Sequence, residues 1–292
     1  MKRGIILINA YTKSEHELNQ PLRLREELAA LGVNAEIVRN RFPAFLNGEG
    51  EVSLSDPPDF CVYLDKDKYT GEMLEKRGVR LFNPIGAIAD CDDKMRTYLA
   101  LGGFGIPMPK TFAAPLCYYP DEPYGGLELV ERELGYPIVV KECYGSLGKG
   151  VSLARDRAEL SSLAERLKCR PHLFQEFIEE SRGRDVRVIV VGGKAIGSML
   201  RISDCDFRSN AELGGKGVPY GLSEEGRLLC EKIARILRLD YCGIDLLFGK
   251  EGFLLCEVNS NAFFGTFERV TGVNAARAYA EHIFKIIYGE KK

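Results

Sequence analysis

Over the first 90 residues, short apolar runs alternate with amphipathic stretches. Runs at residues 4–9, 33–38, 60–64 and 79–82 have strand length and are rich in β-branched and aromatic residues. Between the first two, leucines at 18, 22, 24, 28 and 31 fit one broad helical face. Pro21 suits the first turn of that helix, with Asn19 or Gln20 as cap, and Gly32 ends it. Residues 68–76 predict a shorter helix. Such alternation predicts a small parallel sheet with helices on its faces, closing near Asn83-Pro84.

The pattern then changes. Asp90, with Asp93 in a capping-box-like place, predicts a helix over 91–101 that carries Lys94 in its first turn. A lysine there opposes the dipole preference for anions, which hints at another task for it. The Gly- and Pro-rich stretch 102–109 breaks the helix, and 113–126 reads as a surface excursion. Helices follow at 127–134, 157–167, about 223–237 and 274–288. Strands are predicted at 173–178, 185–191, 194–201, 243–248 and 253–258, with Gly192-Gly193 as a two-residue hairpin turn. Residues 179–184 read as a linker between lobes, and 203–217 as a polar loop. The strand pair Asp185 and Arg187 shares a face; a solvated charge ladder is the ordinary reading.

Composition narrows the function classes. The chain has 292 residues, 45% apolar and 28% charged, which suits about two soluble globular domains. A net charge of −2, from 40 basic and 42 acidic residues, argues against a large nucleic-acid footprint. Nine evenly spread cysteines without a C-x-x-C spacing argue against a disulfide framework and a thiolate zinc site, and for a reducing, cytoplasmic setting. No run approaches the roughly 20 apolar residues needed to span a bilayer, so no membrane partner is expected. The N-terminal apolar run is too short for a signal segment. Three scattered histidines allow no Ser-His-Asp arrangement.

Two stretches carry candidate chemistry. In residues 136–154, a β-branched run ends in Lys141, a loop holds Gly145, Gly148 and Gly150, and a second apolar run begins at Val151. Strand, glycine loop, strand is a shape whose bare backbone N–H groups can wrap phosphate oxygens, with a mobile lysine at its hinge. The spacing is not that of a Walker A loop. A hairpin turn with a surface lysine is the plainer alternative. In the second stretch, Asp245 and Glu257 lie within nearly continuous apolar runs, where a carboxylate is costly unless paired or metal-bound. Glu257 and Asn259 share a strand face. A three-residue loop at Lys250-Glu251-Gly252 would set Asp245 opposite Glu257, whereas a two-residue turn would turn Glu257 to the other side. The three-residue loop is expected here, and with it one Asp-Glu-Asn cluster of hard oxygen ligands suited to Mg²⁺ or Mn²⁺. The alternative is an ion pair of these carboxylates with Arg201 or Arg208.

Lys94 after Asp93, the Pro-Ile-Val-Val-Lys141 strand, the 145–150 loop, Gln175-Glu176-Phe177-Ile178, Asp185-Val-Arg187, Asp206 to Asn210, Gly243-Ile-Asp245 and Glu257-Val-Asn259 occur in a specific order. Together they resemble the ATP-grasp superfamily, and within it the RimK-like carboxylate–amine ligases, from about residue 88 to 287. The resemblance implies an α/β and α+β chain: a pre-ATP-grasp parallel-sheet domain over 1–86, a central lobe with a glycine lid over 87–178, and a C-terminal lobe with the metal site over 179–292. It implies that Lys94, Lys141, Gly145, Ser146, Gly148 and Gly150 hold ATP phosphates, and that Glu176 and Phe177 meet the adenine at a hinge. Asp185 would contact the ribose, and Arg208, Ser209 and Asn210 would line the triphosphate end. Asp245, Glu257 and Asn259 would carry Mg²⁺. Lys141 with Arg201 or Arg208 would stabilise the transferring phosphoryl group.

By the same resemblance the chain forms an amide between a small-molecule or peptide carboxylate and an amine, with an amino acid as the expected amine, through an acyl phosphate. An ATP-binding protein without ligation, serving regulation or assembly, is the alternative; the complete metal set argues against it. Two departures from the family pattern stand out. Residues 260–268 replace a small turn with an aromatic segment holding Phe263, Phe264 and Phe267, for which packing is the ordinary reading. Gly243 stands where D-alanine–D-alanine ligases carry arginine, which disfavours that activity. Self-pairing is left open, with no self-complementary patch legible.

Overall fold

The computed structural model describes residues 2–41, 43–146, 148–209 and 215–289. Its first sheet is parallel, in the order β2-β1-β5-β6, with β1 (Gly4–Ile8), β2 (Ala35–Arg39), β5 (Phe60–Leu64) and β6 (Arg80–Phe82). Helices α1 (Glu15–Ala30) and α2 (Lys68–Lys76) connect its strands, as the alternating pattern predicts. A small hairpin, β3 (Ala44–Leu46) with β4 (Val52–Leu54), interrupts this unit and was not expected. Every residue of β1 and β5 is buried, the mark of parallel strands covered on both faces.

The α1 start differs from expectation. Ser14 is the cap: its hydroxyl accepts from the Glu17 N–H and the Glu17 carboxylate accepts from the Ser14 N–H. That reciprocal box satisfies two donors at once, so the helix starts six residues before Pro21, which lies inside it. The 91–101 helix is likewise two helices, α3 (Ile85–Asp92) and α4 (Lys94–Leu101). Asp93, not Asp90, caps the second, accepting from the Met95 and Arg96 N–H groups.

The second sheet runs β7-β10-β8-β9, from β7 (Thr111–Ala113), β8 (Ile138–Glu142), β9 (Val151–Ala154) and β10 (His172–Glu176), with α5 (Leu127–Leu134) and α6 (Arg157–Leu167) against it. The third runs β13-β12-β11-β14-β15, from β11 (Arg184–Val191), β12 (Lys194–Ile202), β13 (Lys216–Pro219), β14 (Tyr241–Gly249) and β15 (Gly252–Asn259). A single 3-10 turn, Glu179–Ser181, joins these two sheets. Helices α7 (Glu224–Ile236), α8 (Gly265–Thr271) and α9 (Ala275–Tyr288) complete the chain. The unexpected α8 and β13 fall in the aromatic segment and at the end of the polar loop. One face of the third sheet packs Val186, Val188, Ile244 and Leu246 toward α7 and α4, while Ile189, Met199 and Tyr241 join α1 and α9 in a core shared with the first sheet.

Asn83, 1% exposed, ties the first unit to the third sheet. Its amide donates to the Tyr241 and Ser260 carbonyls at 2.8 Å each and accepts from the Asp240 and Tyr241 N–H groups at 2.7 and 3.0 Å. Beside it, Arg80 and His282 both reach the Asp240 carboxylate. Replacing Asn83 with alanine leaves four buried backbone groups without that partner. The expected outcome in urea unfolding is a lower midpoint and a stability loss of about 3 kcal/mol or more; an unchanged midpoint would show that these bonds carry no net stability.

Candidate active site

The register of β14 with β15 decides which side chains share the face of the third sheet. Phe248 pairs with Phe253 and Gly249 with Gly252, so the turn is the two-residue one at Lys250-Glu251, against expectation. That register alone would set Asp245 opposite Cys256. Instead Leu246 pairs with Leu255 and Asp245 with Glu257, because Cys256 is a one-residue bulge. The expected Asp245–Glu257 pairing is therefore present, reached by a bulge in the strand rather than a longer loop. Tyr98 of α4 donates to the Cys256 carbonyl at 2.7 Å, and the Leu255 N–H reaches the Pro107 carbonyl at 2.8 Å, so the bulged backbone is not left unsatisfied.

On the same face lies a row of charge. Asp185 on β11 is the cross-strand partner of Arg201 on β12, and Arg187 on β11 is the partner of Asp245 on β14. Arg201 grips Asp185 with two bonds, 2.7 and 2.6 Å, and reaches Asp245 at 2.8 Å. Arg187 makes a fork to both Asp245 oxygens. Asp185 and Arg187 thus belong to a buried row of paired charges, not a solvated ladder. Burial opposes ionisation of Asp245, but Arg187 and Arg201 outweigh it and hold its carboxyl below the ordinary range. Burial likewise works against the Arg201 charge, and Asp185 and Asp245 keep it charged well beyond any physiological pH. The ion-pair alternative therefore holds for Asp245, with Arg187 and Arg201 as the partners and Arg208 not among them.

A cleft opens between the second and third sheets. From the second sheet and α4 come Lys94, Lys141, Gly145, Ser146, Gly148, Glu176 and Phe177; from the third come Asp185, Arg201, Arg208, Ser209, Asp245 and Glu257. Gly150 belongs to the same loop but does not line the cleft, and Asn259 lines the adjoining cavity instead. Asn210 lies outside the described residues. Apolar walls that sequence reasoning missed are Val139, Val151, Ile178, Phe207, Leu247 and Cys256.

The lysines are buried. Lys94 opens α4, and its ammonium lies 3.1 Å from the Gly145 carbonyl and 3.9 Å from Glu257. Burial pulls the Lys141 ammonium down, yet Cys256, Tyr98 and Glu257 around it outweigh that, so it stays protonated. Burial pushes the Cys256 thiol up to about 11, which leaves it an uncharged wall. Gly145, Gly148 and Gly150 all have positive φ, a path few other residues take without strain. Arg208 does not point freely at the cleft: it pairs with Asp206 and donates to the Gly148 and Val151 carbonyls at 2.8 and 3.0 Å. The Asp185 carboxylate, expected to face a ribose, is engaged by Arg201.

A second cavity meets the first at Ser146, Arg201, Ser209 and Glu257. Phe263 lines it and packs on His16 with ring centroids 4.7 Å apart, whereas Phe264 and Phe267 are fully buried in the core. The aromatic segment is thus mostly packing, with one ring at a cavity wall. Gly243 has no room for a side chain, since a Cβ would lie 2.5 Å from Ala262 and 3.1 Å from Arg187.

A family model for the RimK-like ATP-grasp domain matches residues 91–283. The chain belongs to the RimK-like ATP-grasp family. Beta-citrylglutamate synthase B of Danio rerio is 41% identical over 246 residues, covering 81% of this chain and 58% of that protein. N-acetylaspartylglutamate synthase A of Homo sapiens is 40% identical over 240 residues, covering 81% and 60%. The chain thus spans less than two thirds of the length of these curated relatives. The solved RimK domain ATP-grasp protein of Sphaerobacter thermophilus superposes with a TM-score of 0.70 at 21% identity, over 97% of this chain and 99% of that one, and shares the ATP-grasp fold.

Arg208, in the loop that follows β12, ties that loop to the glycine loop of this RimK-like chain through the Gly148 and Val151 carbonyls. Arg208→Ala is expected to speed amide hydrogen exchange across residues 145–151 at least tenfold while leaving β11 and β14 unchanged. Unaltered exchange in the loop would mean that these contacts do not hold it.

Proposed function

We propose that this chain is an ATP-dependent ligase that joins a carboxylic acid to the amino group of glutamate through an acyl phosphate. The observation that carries the reading is the meeting of two cavities at Ser146, Arg201, Ser209 and Glu257. One cavity has buried lysines and a glycine loop, suited to a nucleotide; the other is the place for the acid and amine. The glutamate in the names of both relatives supports the choice of amine.

In this reading the acid's carboxylate oxygen attacks the γ-phosphorus of ATP, the bond from that phosphorus to the β-phosphate oxygen breaks, and ADP leaves. The neutral amine then attacks the acyl carbon, the carbon–oxygen bond to phosphate breaks, and phosphate departs with the electron pair. The amine nitrogen gives up a proton to water. Lys94 and Lys141 offset phosphate charge in a site shielded from water, and Arg201 lies where the phosphoryl group passes. The glycine loop holds the phosphates and limits hydrolysis of the acyl phosphate.

Glu257 and Asn259 fit a divalent cation as hard oxygen donors on one strand face, with Glu257 meeting only Lys94 at 3.9 Å among the described residues. Asp245 is held in its arginine pairs and fits less well. Mg²⁺ or Mn²⁺, when bound, supplies further neutralisation of the phosphates. ADP formation with glutamate and a pool of carboxylic acids tests the proposal. Sustained ADP formation, beyond one equivalent per site, is expected only when acid and amine are both present, and Glu257→Gln is expected to lower the rate by about 10²–10³. ATP binding without turnover across a broad acid and amine set would favour the alternative of a nucleotide-binding protein.

A further inference from the structure

We propose that Cys117 and Cys169 form a thiol–disulfide exchange site, in which a small disulfide oxidises the pair to an internal bridge that staples the base of the unit carrying the glycine loop. Neither cysteine lines the nucleotide cleft or the second cavity, so the inference stands apart from the ligase reading. Register is its first ground. Strands β7 and β10 pair antiparallel, with Phe112 against Phe174 and Ala113 against Leu173. The Ala114 N–H then donates to the His172 carbonyl at 3.0 Å, in the same register. Pro115 and Pro171 come next on the two chains; neither has an N–H to give, and the ladder stops there. Carried on, the register sets Leu116 against Arg170 and Cys117 against Cys169. Facing residues of an antiparallel pair have Cα atoms about 4.5–5.5 Å apart, within the span that a disulfide bridges.

Contacts past the end of the ladder keep the two chains together. The Cys117 and Cys169 thiols share a hydrogen bond. Lys168, next to Cys169, donates to the Glu122 carbonyl at 3.0 Å, and the Tyr124 N–H donates to the Glu165 carboxylate at 3.1 Å. Both bonds pin the excursion after β7 to the end of α6, where Cys117 and Lys168 line one surface cavity. Access separates this pair from most other thiols. Cys61, Cys91, Cys143, Cys230 and Cys242 are buried, whereas Cys117 is half-buried and Cys169 exposed. Partial desolvation and the bond with Cys117 raise the Cys169 thiol above its ordinary value, against the pull of Lys168. It is mostly protonated at neutral pH, which suits slow equilibration with a disulfide pool rather than fast capture of peroxide.

The exchange has two steps. The Cys169 thiolate attacks one sulfur of a low-molecular-weight disulfide, that S–S bond breaks, and one small thiolate leaves. The Cys117 thiolate then attacks the Cys169 sulfur of the mixed disulfide, and the second small thiolate leaves. The two cysteines are oxidised, the small disulfide is reduced to two thiols, and the two cysteine protons end on those thiols. Between the cysteines lie α5, β8, the glycine loop, β9 and α6. A bridge between residues 117 and 169 closes that whole segment at its base, and closing a long loop removes the most freedom from the unfolded chain.

The test equilibrates the full chain with glutathione disulfide and glutathione at several ratios, blocks the remaining thiols by alkylation, and maps the peptides by mass. The expected result is a Cys117–Cys169 link that dithiothreitol removes, with a thermal midpoint higher by about 5 °C or more in the oxidised form. Cys117→Ser and Cys169→Ser are each expected to abolish both the link and the rise, leaving the surviving cysteine with glutathione alone. Wild-type chains that end with glutathione on each cysteine, a dominant link from Cys169 to Cys205, or two free thiols at every ratio would overturn the pairing. A link that forms but leaves the midpoint unchanged or lower would overturn the staple.

Discussion

A bulge of one residue at Cys256 decides what this protein can present between its sheets. Because side chains alternate along a strand, a register without the extra residue would turn Glu257 and Asn259 away from Asp245. The bulge is held from two sides. The Tyr98 hydroxyl takes up the Cys256 carbonyl and itself accepts from Gln175 of β10 at 3.0 Å, while Pro107 receives the Leu255 N–H. The segment that follows α4 and the central sheet thus support the strand that carries the carboxylates. A bulge beside a site is a device for aiming side chains, and here it sets Glu257 at the border between two cavities and Asn259 in the wall of the second.

The charge row on the same face has a different task. Two arginines and two aspartates cancel within the sheet, through pairs that are cross-strand neighbours by register. Burying them is tolerable only because each is paired. With these charges cancelled inside the sheet, Lys94 and Lys141 face the first cavity as further cations, and Arg201 stands at the border where both cavities meet. Removing Arg201 would take from the buried Asp185 its ion-pair partner among the described residues, and removing either arginine takes one of two partners from Asp245, so the row acts as a unit.

Much of this was legible from residue order. The alternation of apolar runs predicts the parallel sheet, and the Gly192-Gly193 turn, the α6 span and the near-continuous apolar runs around Asp245 and Glu257 fall where the pattern puts them. What the pattern misses has local causes. Ser14 and Glu17 reciprocate hydrogen bonds across a stretch that reads as polar loop, and Pro21 is a stronger signal than they are. Asp93 wins over Asp90 because its side chain reaches two free N–H groups. The Cys256 bulge depends on Tyr98, 158 residues away, and no local signal announces it. The partnership of Arg187 with Asp245 needs strand order, which spacing does not supply. The apolar walls of the cleft resemble any core residue, and nothing in the sequence separates Leu247 or Val139 from packing.

The course of the reaction at the cavity border is open to an oxygen-18 experiment. With the acid labelled in both carboxylate oxygens, ATP unlabelled and glutamate as the amine, the released phosphate is analysed by mass. Attack of the carboxylate on the γ-phosphorus carries one labelled oxygen into phosphate for each amide formed, and leaves ADP unlabelled. Phosphate free of label alongside labelled AMP, or amide formed with unlabelled phosphate, would contradict an acyl phosphate at the Arg201–Glu257 border.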